Sequence, residues 1–186
     1  MQPLTIKLII DEHRAMGTIL GMLRHAVKSV GKSGQTVDFD EVRAMLFYLD
    51  EVPAKVHHVT ESELLFPRIR ERCHPLRPVL DRLQSEHDRG ELAVRNLEHS
   101  LVTWQVMGDT HREVFKLMLN GYIDNYLGHM DVEERYVLPV AMDYLTESDW
   151  QELNDAFKIQ RGSLVGSMTQ GHRELFQKIV SNQPLS

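Results

Sequence analysis

His57-His58-Val59-Thr60-Glu61-Ser62-Glu63-Leu64-Leu65-Phe66-Pro67 and His129-Met130-Asp131-Val132-Glu133-Glu134-Arg135-Tyr136-Val137-Leu138-Pro139 are two copies of one pattern. Each places a Glu four residues after a His and a Pro six residues after that Glu, with an apolar pair just before the Pro. On an α-helix, residues at i and i+4 share a face, with Cβ atoms roughly 5–6 Å apart. A His and a Glu so spaced can reach the same metal ion.

Working outward, the rest of the chain supplies partners in the same rhythm. An isolated His follows a Glu at Glu12-His13-Arg14 and again at Glu86-His87-Asp88. His13 precedes His57 by 44 positions and His87 precedes His129 by 42, the layout of two similar half-bundles. If all four faces point inward, His13, His57, Glu61, His87, His129 and Glu133 give four imidazoles and two carboxylates. If each Glu bridges, each of two ions receives two nitrogens and two oxygens and keeps open positions. Such paired ions sit roughly 3.5–4 Å apart. Nitrogen and oxygen ligands suit iron, manganese, zinc or copper(II). Zinc more often takes closed single sites, so iron ranks first, with zinc and manganese as rivals.

The segments carrying these residues read as helices. Apolar residues recur at three and four in the first run, from Leu8 and Ile9 through Met16, Leu20 and Val27 to a turn at Gly31-Lys32-Ser33-Gly34. A second run starts at Asp38 or Asp40, either a good N-cap, and is kinked at Pro53 before reaching about Arg72. A third spans roughly 77 to 107 and closes at Gly108. The fourth, capped by Asp109 or Thr110, reaches about Tyr144. Thr146-Glu147-Ser148-Asp149 then caps a shorter helix to about Gln160, and a last one is predicted near 166 to 181. No stretch alternates as a strand would. The expected architecture is all-α: an antiparallel up-down four-helix bundle over residues 1–145, with one or two additional C-terminal helices in 146–186. Those last helices would pack on the bundle or on a partner subunit, a homodimer being one such arrangement.

Composition fits this reading. At 186 residues with a net charge of −6, the chain has ample core and no electrostatic reason to bind nucleic acid. No apolar stretch is long enough to span a bilayer, and Met1-Gln2-Pro3-Leu4-Thr5 lacks a signal peptide's basic region; a cytoplasmic protein is expected. The single cysteine, Cys73, excludes an internal disulfide or a thiolate-rich metal site and reads as an incidental thiol. Nine methionines are core filler, whereas ten histidines are not explained by composition. His25, His74, His99, His111 and His172 lack partners at ligand spacing and read as ordinary histidines. His58 lies about 100° around the helix from His57, outer support or exposed rather than a ligand, and is held as a further candidate. Glu63 and Glu134 read as solvated neighbours, and Trp104 and Trp150 as core or interface anchors. Tyr48, Tyr122, Tyr126 and Tyr136 either support the ligands or pack.

At these residues the chain resembles the hemerythrin family, specifically bacterial hemerythrin-like HHE cation-binding domains, over roughly residues 5 to 144. The resemblance implies a non-haem di-iron centre, two oxo- or hydroxo-bridged ions per chain, with Glu61 and Glu133 bridging and His13, His57, His87 and His129 as terminal ligands. Ferritin-like bundles use a different layout, lone Glu residues and Glu-x-x-His pairs. Oxygen-carrying hemerythrins have a fifth imidazole four residues after the third-helix His. Here that position is Glu91, a further candidate ligand, which weighs against reversible oxygen carriage. The expected function is binding or sensing of oxygen, nitric oxide or iron, the external ligand being a small diatomic or peroxide. The alternative is a di-iron redox enzyme, peroxidase- or catalase-like or nitric-oxide-reducing.

Overall fold

A computed structural model describes residues 2–28, 37–52 and 57–167, with side chains through 51 in the second segment and through 159 in the third. Among the described residues there is no strand. The helices are α1 (Leu4–Lys28), α2 (Phe39–Val52), α3 (His58–Thr60), α4 (Phe66–Arg72), α5 (Arg77–Met107), α6 (Arg112–Val132), α7 (Leu138–Tyr144) and α8 (Glu147–Ser167). Contacts close a ring in which α1 meets α2, α2 meets α5, α5 meets α6 and α6 meets α1. The expected all-α bundle is present. The Gly31–Gly34 turn, the kink at Pro53, and the residues past 167 where a last helix was expected all lie outside the described residues. Among those described, no helix is long and apolar enough to cross a membrane.

Several boundaries follow from local chemistry. Asp38 caps α2, its Oδ1 accepting the backbone N–H groups of Asp40 and Glu41 at 3.0 Å each. Gly108, at φ 87°, ends α5 in the left-handed region that glycine occupies without strain. Neither Asp109 nor Thr110 caps α6 as the sequence suggested. A single 3-10 turn, Asp109–His111, precedes it, and Asp109 Oδ1 instead accepts Trp104 Nε1–H at 3.1 Å. Thr146 and Asp149 form a reciprocal cap on α8: Thr146 N–H reaches Asp149 Oδ2 at 2.9 Å, and Asp149 N–H reaches Thr146 Oγ1 at 3.2 Å. The expected break after Gln160 does not occur. α8 continues through Gly162 to Ser167, since one helical glycine costs only about 1 kcal/mol.

Two apolar clusters fill the bundle. The first joins Met16, Leu20 and Leu23 of α1 to Met45 and Leu46 of α2, Leu97 and Trp104 of α5, and Phe115 and Leu119 of α6. The second joins Ile6 and Ile9 of α1 to Phe66 and Ile69 of α4, Leu80 and Leu83 of α5, Leu138 and Ala141 of α7, and Trp150, Leu153 and Phe157 of α8. α1 and α5 run from the second cluster to the first and the other two arms run back, so neighbours are antiparallel. Burying each α8 anchor contributes roughly 1.5–3 kcal/mol, and Asn154 Oδ1 adds bonds from Thr5 N–H and Oγ1–H at 2.9 and 2.8 Å. In every arm, the residues between the two clusters are the histidines and glutamates picked out by the sequence.

One feature was not anticipated. Glu61–Leu65 and Glu133–Val137 are π turns, each starting on the Glu of a His-x3-Glu pair. Phe66 N–H bonds Glu61 O and Leu138 N–H bonds Glu133 O, five residues back instead of four. The Pro after each turn has no N–H to give and would crowd the carbonyl four residues before it, which the wider turn relieves. The turns also explain two buried ladders, His57-Glu61-Leu65-Ile69-Cys73 and His129-Glu133-Val137-Ala141-Leu145, none more than 7 % exposed. On a regular α-helix a strict period of four drifts about 40° per step and would leave the core. A π turn winds back and holds the ladder inside.

Candidate metal centre

Six side chains converge between the apolar clusters. One ligand atom from each of His13, His57, Glu61 and Glu133 lies within 4.8 Å of the others, and the same holds for Glu61, His87, His129 and Glu133. The two carboxylates are common to both groups. His13 Nε2 and His57 Nε2 are 3.0 Å apart, as are His87 Nε2 and His129 Nε2. Glu133 Oε2 is 3.2 Å from His13 Nε2, and its Oε1 is 3.1 Å from His129 Nε2. Glu61 Oε2 is 3.4 Å from His57 Nε2 and 3.6 Å from His87 Nε2.

The outer nitrogens are fixed by a second set of residues. His57 Nδ1–H donates to Glu12 Oε2 at 3.0 Å, and His129 Nδ1–H to Glu86 Oε2 at 3.0 Å. The Glu of each Glu-His dipeptide thus serves the histidine of a neighbouring arm rather than its own neighbour. His13 Nδ1–H donates to Glu134 Oε1 at 2.9 Å, while His87 Nδ1 meets Ser62 Oγ at 3.0 Å. A carboxylate can only accept, so the Nδ1 atoms of His13, His57 and His129 carry the protons. Nε2 of His13 and Nε2 of His57 then present lone pairs to one another.

This arrangement fits a cation. Glu61 and Glu133 are 1 % and 0 % exposed, and none of their four carboxylate oxygens has a hydrogen-bond partner among the described residues. Buried charges are ordinarily paired or bound to metal. Burial and then the Glu133 charge push the Glu61 carboxyl well above its usual range. Burial pushes Glu133 up as well, but His129 and His13 outweigh it and hold that carboxyl well below. Burial lowers His57 and takes His87 to about 3, which keeps both imidazoles neutral as metal ligands must be.

Two further candidates stand elsewhere. Glu91 faces outward, 39 % exposed at its side chain, 4.0 Å from Arg95. On α5 the position four residues after His87 carries its carboxylate away from the converging ligand atoms. His58 is buried, with Nε2 3.0 Å from the Tyr126 hydroxyl and its ring stacked on His87 at 4.0 Å between centroids. It supports the centre and is not among the converging ligand atoms. Burial, then His87, hold it well below its ordinary value. Glu134, read as solvated, is a partner of His13 despite 42 % exposure of its side chain. Its place directly after Glu133 was the available signal, matched by Ser62 after Glu61.

Fold and site together define a helical bundle with a buried, preformed pocket for cations between imidazoles and shared carboxylates. A sequence model of the Hemerythrin HHE cation binding domain matches residues 4–141, and the chain belongs to that family. No curated protein matches the chain.

Proposed function

We propose that the chain binds two metal ions, iron foremost, and uses them to take up a small ligand such as oxygen or nitric oxide, or to sense iron itself. The observation carrying this reading is that Glu61 and Glu133, both buried and without hydrogen-bond donors, are shared by the His13–His57 and His87–His129 pairs. Glu61 and Glu133 would bridge the ions and each imidazole pair would complete one half-site. Bound iron would supply the redox and ligand-binding chemistry. Glu12, Glu86 and Glu134 hold three imidazoles in the tautomer that offers Nε2, and the two apolar clusters keep bulk water from both ends. The alternative, a di-iron redox enzyme, draws support from Glu91, which points outward and gives the His87–His129 half-site no further ligand from α5.

Anaerobic reconstitution with ferrous iron, metal counting, and optical spectra on adding and then removing oxygen test the reading. Two ions per chain are expected. Fewer than one ion per chain after iron-replete expression would overturn it. Peroxide consumption lost in Glu133→Ala would decide for the enzyme.

A further inference from the structure

The two half-sites are not equal, although the residues that build them are. Both imidazoles of the first half-site donate to carboxylates, His57 to Glu12 and His13 to Glu134. In the second, His129 donates to Glu86, but the partner of His87 Nδ1 among the described residues is the Ser62 hydroxyl. A carboxylate partner strengthens an imidazole as a ligand, and loss of one such partner typically costs 10–100-fold in metal affinity.

Among the described residues, a groove approaches the same half-site. A groove of about 740 Å³ between α5 and α6 is walled by His58, His87, His129 and Tyr126, while His13 and His57 do not line it. Gly90, Gly121 and Gly128 stand along it, and a Cβ added at any of them would meet no atom within 4 Å. The glycines are therefore not needed for close packing, and their missing side chains leave the approach clear. His58 Nδ1, buried beside His87, has no hydrogen-bond partner among the described residues.

We infer that the His87–His129 half-site holds the exchangeable, ligand-accepting ion, reached through the α5–α6 groove, and that the His13–His57 half-site holds the retained one. This rests on the proposed two-ion reading. Its occupants are the exchanging ion and a small anionic or diatomic ligand, which the groove admits to the half-site lacking a second carboxylate partner.

Cobalt(II) as the probe ion tests it. The metal-free full chain is loaded with two equivalents, mixed with EDTA and followed by its visible absorption. Two release phases are expected, the fast one about 10–100 times the slow one. His87→Ala should remove the fast phase and His13→Ala the slow one. Gly121→Phe, placed in the groove, should slow both the fast phase and azide binding severalfold while leaving the slow phase and the cobalt content unchanged. Gly128→Phe gives the same reading if Gly121→Phe fails to fold. Two bound ions released in one phase, or a fast phase untouched by either groove variant or assigned to His13, overturn the inference and leave the two-ion reading intact. Failure to bind one cobalt per chain overturns both.

Discussion

Glu12 and His57 lie on different helices, yet Glu12 Oε2 accepts the His57 Nδ1 proton at 3.0 Å, and Glu86 repeats the contact with His129 at the same distance. The Glu residues of the two Glu-His dipeptides therefore cross-brace the arms. Removing one should loosen a ligand without removing it. Glu12→Ala is expected to lower metal affinity about 10–100-fold with the fold intact, measured by competition against a chromophoric chelator. An unchanged affinity would make the contact incidental.

The centre should cost stability when it is empty. Glu61 and Glu133 have buried oxygens without donors, and each buried polar group left unsatisfied costs about 1–3 kcal/mol. Glu61→Leu should raise the urea midpoint of the chelator-treated protein while abolishing two-ion binding. A lower midpoint would mean that the carboxylate is satisfied without metal.

Asp149 ties α8 to the bundle and gives acid sensitivity a location. Hydrogen bonds from Arg72 and then Thr146 hold its carboxyl at about 2, against 3.8 ordinarily. The folded value is depressed, so the stabilisation is complete above pH 3.8 and lost as pH falls toward about 2. Asp149→Ala also removes the carboxylate half of the reciprocal cap, the acceptor for Thr146 N–H, at a cost of about 0.5–2 kcal/mol. Urea unfolding of wild type and variant should differ above pH 3.8 and converge near pH 2. A gap that does not narrow would count against this assignment.

The π turn after Glu61 offers a deletion as a test. Removing the exposed Glu63 restores a regular helix whose buried positions fall at four-three-four, an acceptable core stripe. Phe66 and Ile69 stay anchored in the apolar cluster, so Glu61 is drawn along the axis by about 1.5 Å, beyond the roughly 0.5 Å a site tolerates. Helix content by circular dichroism should persist while cobalt binding weakens. Full binding would show that the turn does not set the ligand's position.

The convergence of the six His and Glu side chains and the α5 span from Arg77 to Met107 were legible because they depend on spacing and local turn chemistry. What escaped depends on lateral neighbours. His58 looked peripheral on its own helix, and only the placement of Tyr126 and the His87 ring buries it. Glu134 looked solvated until α1 brought His13 to it. Glu91 qualifies as a candidate by an i+4 spacing that matches those of Glu61 and Glu133. The difference lies further along each helix, where a π turn and a Pro come after each ligand Glu and neither comes after Glu91. The unbroken period of four from His57 to Cys73 was visible in the sequence and was the sign of an inserted residue.

That insertion changes what counts as the portable part of this centre. Grafting His and Glu at i and i+4 onto an ideal designed helix would carry over the ligands but not the winding that keeps the rest of the strip facing the core. The smallest unit a protein engineer could move is His57 through Pro67 with its irregularity kept, paired with an acceptor on the adjoining arm.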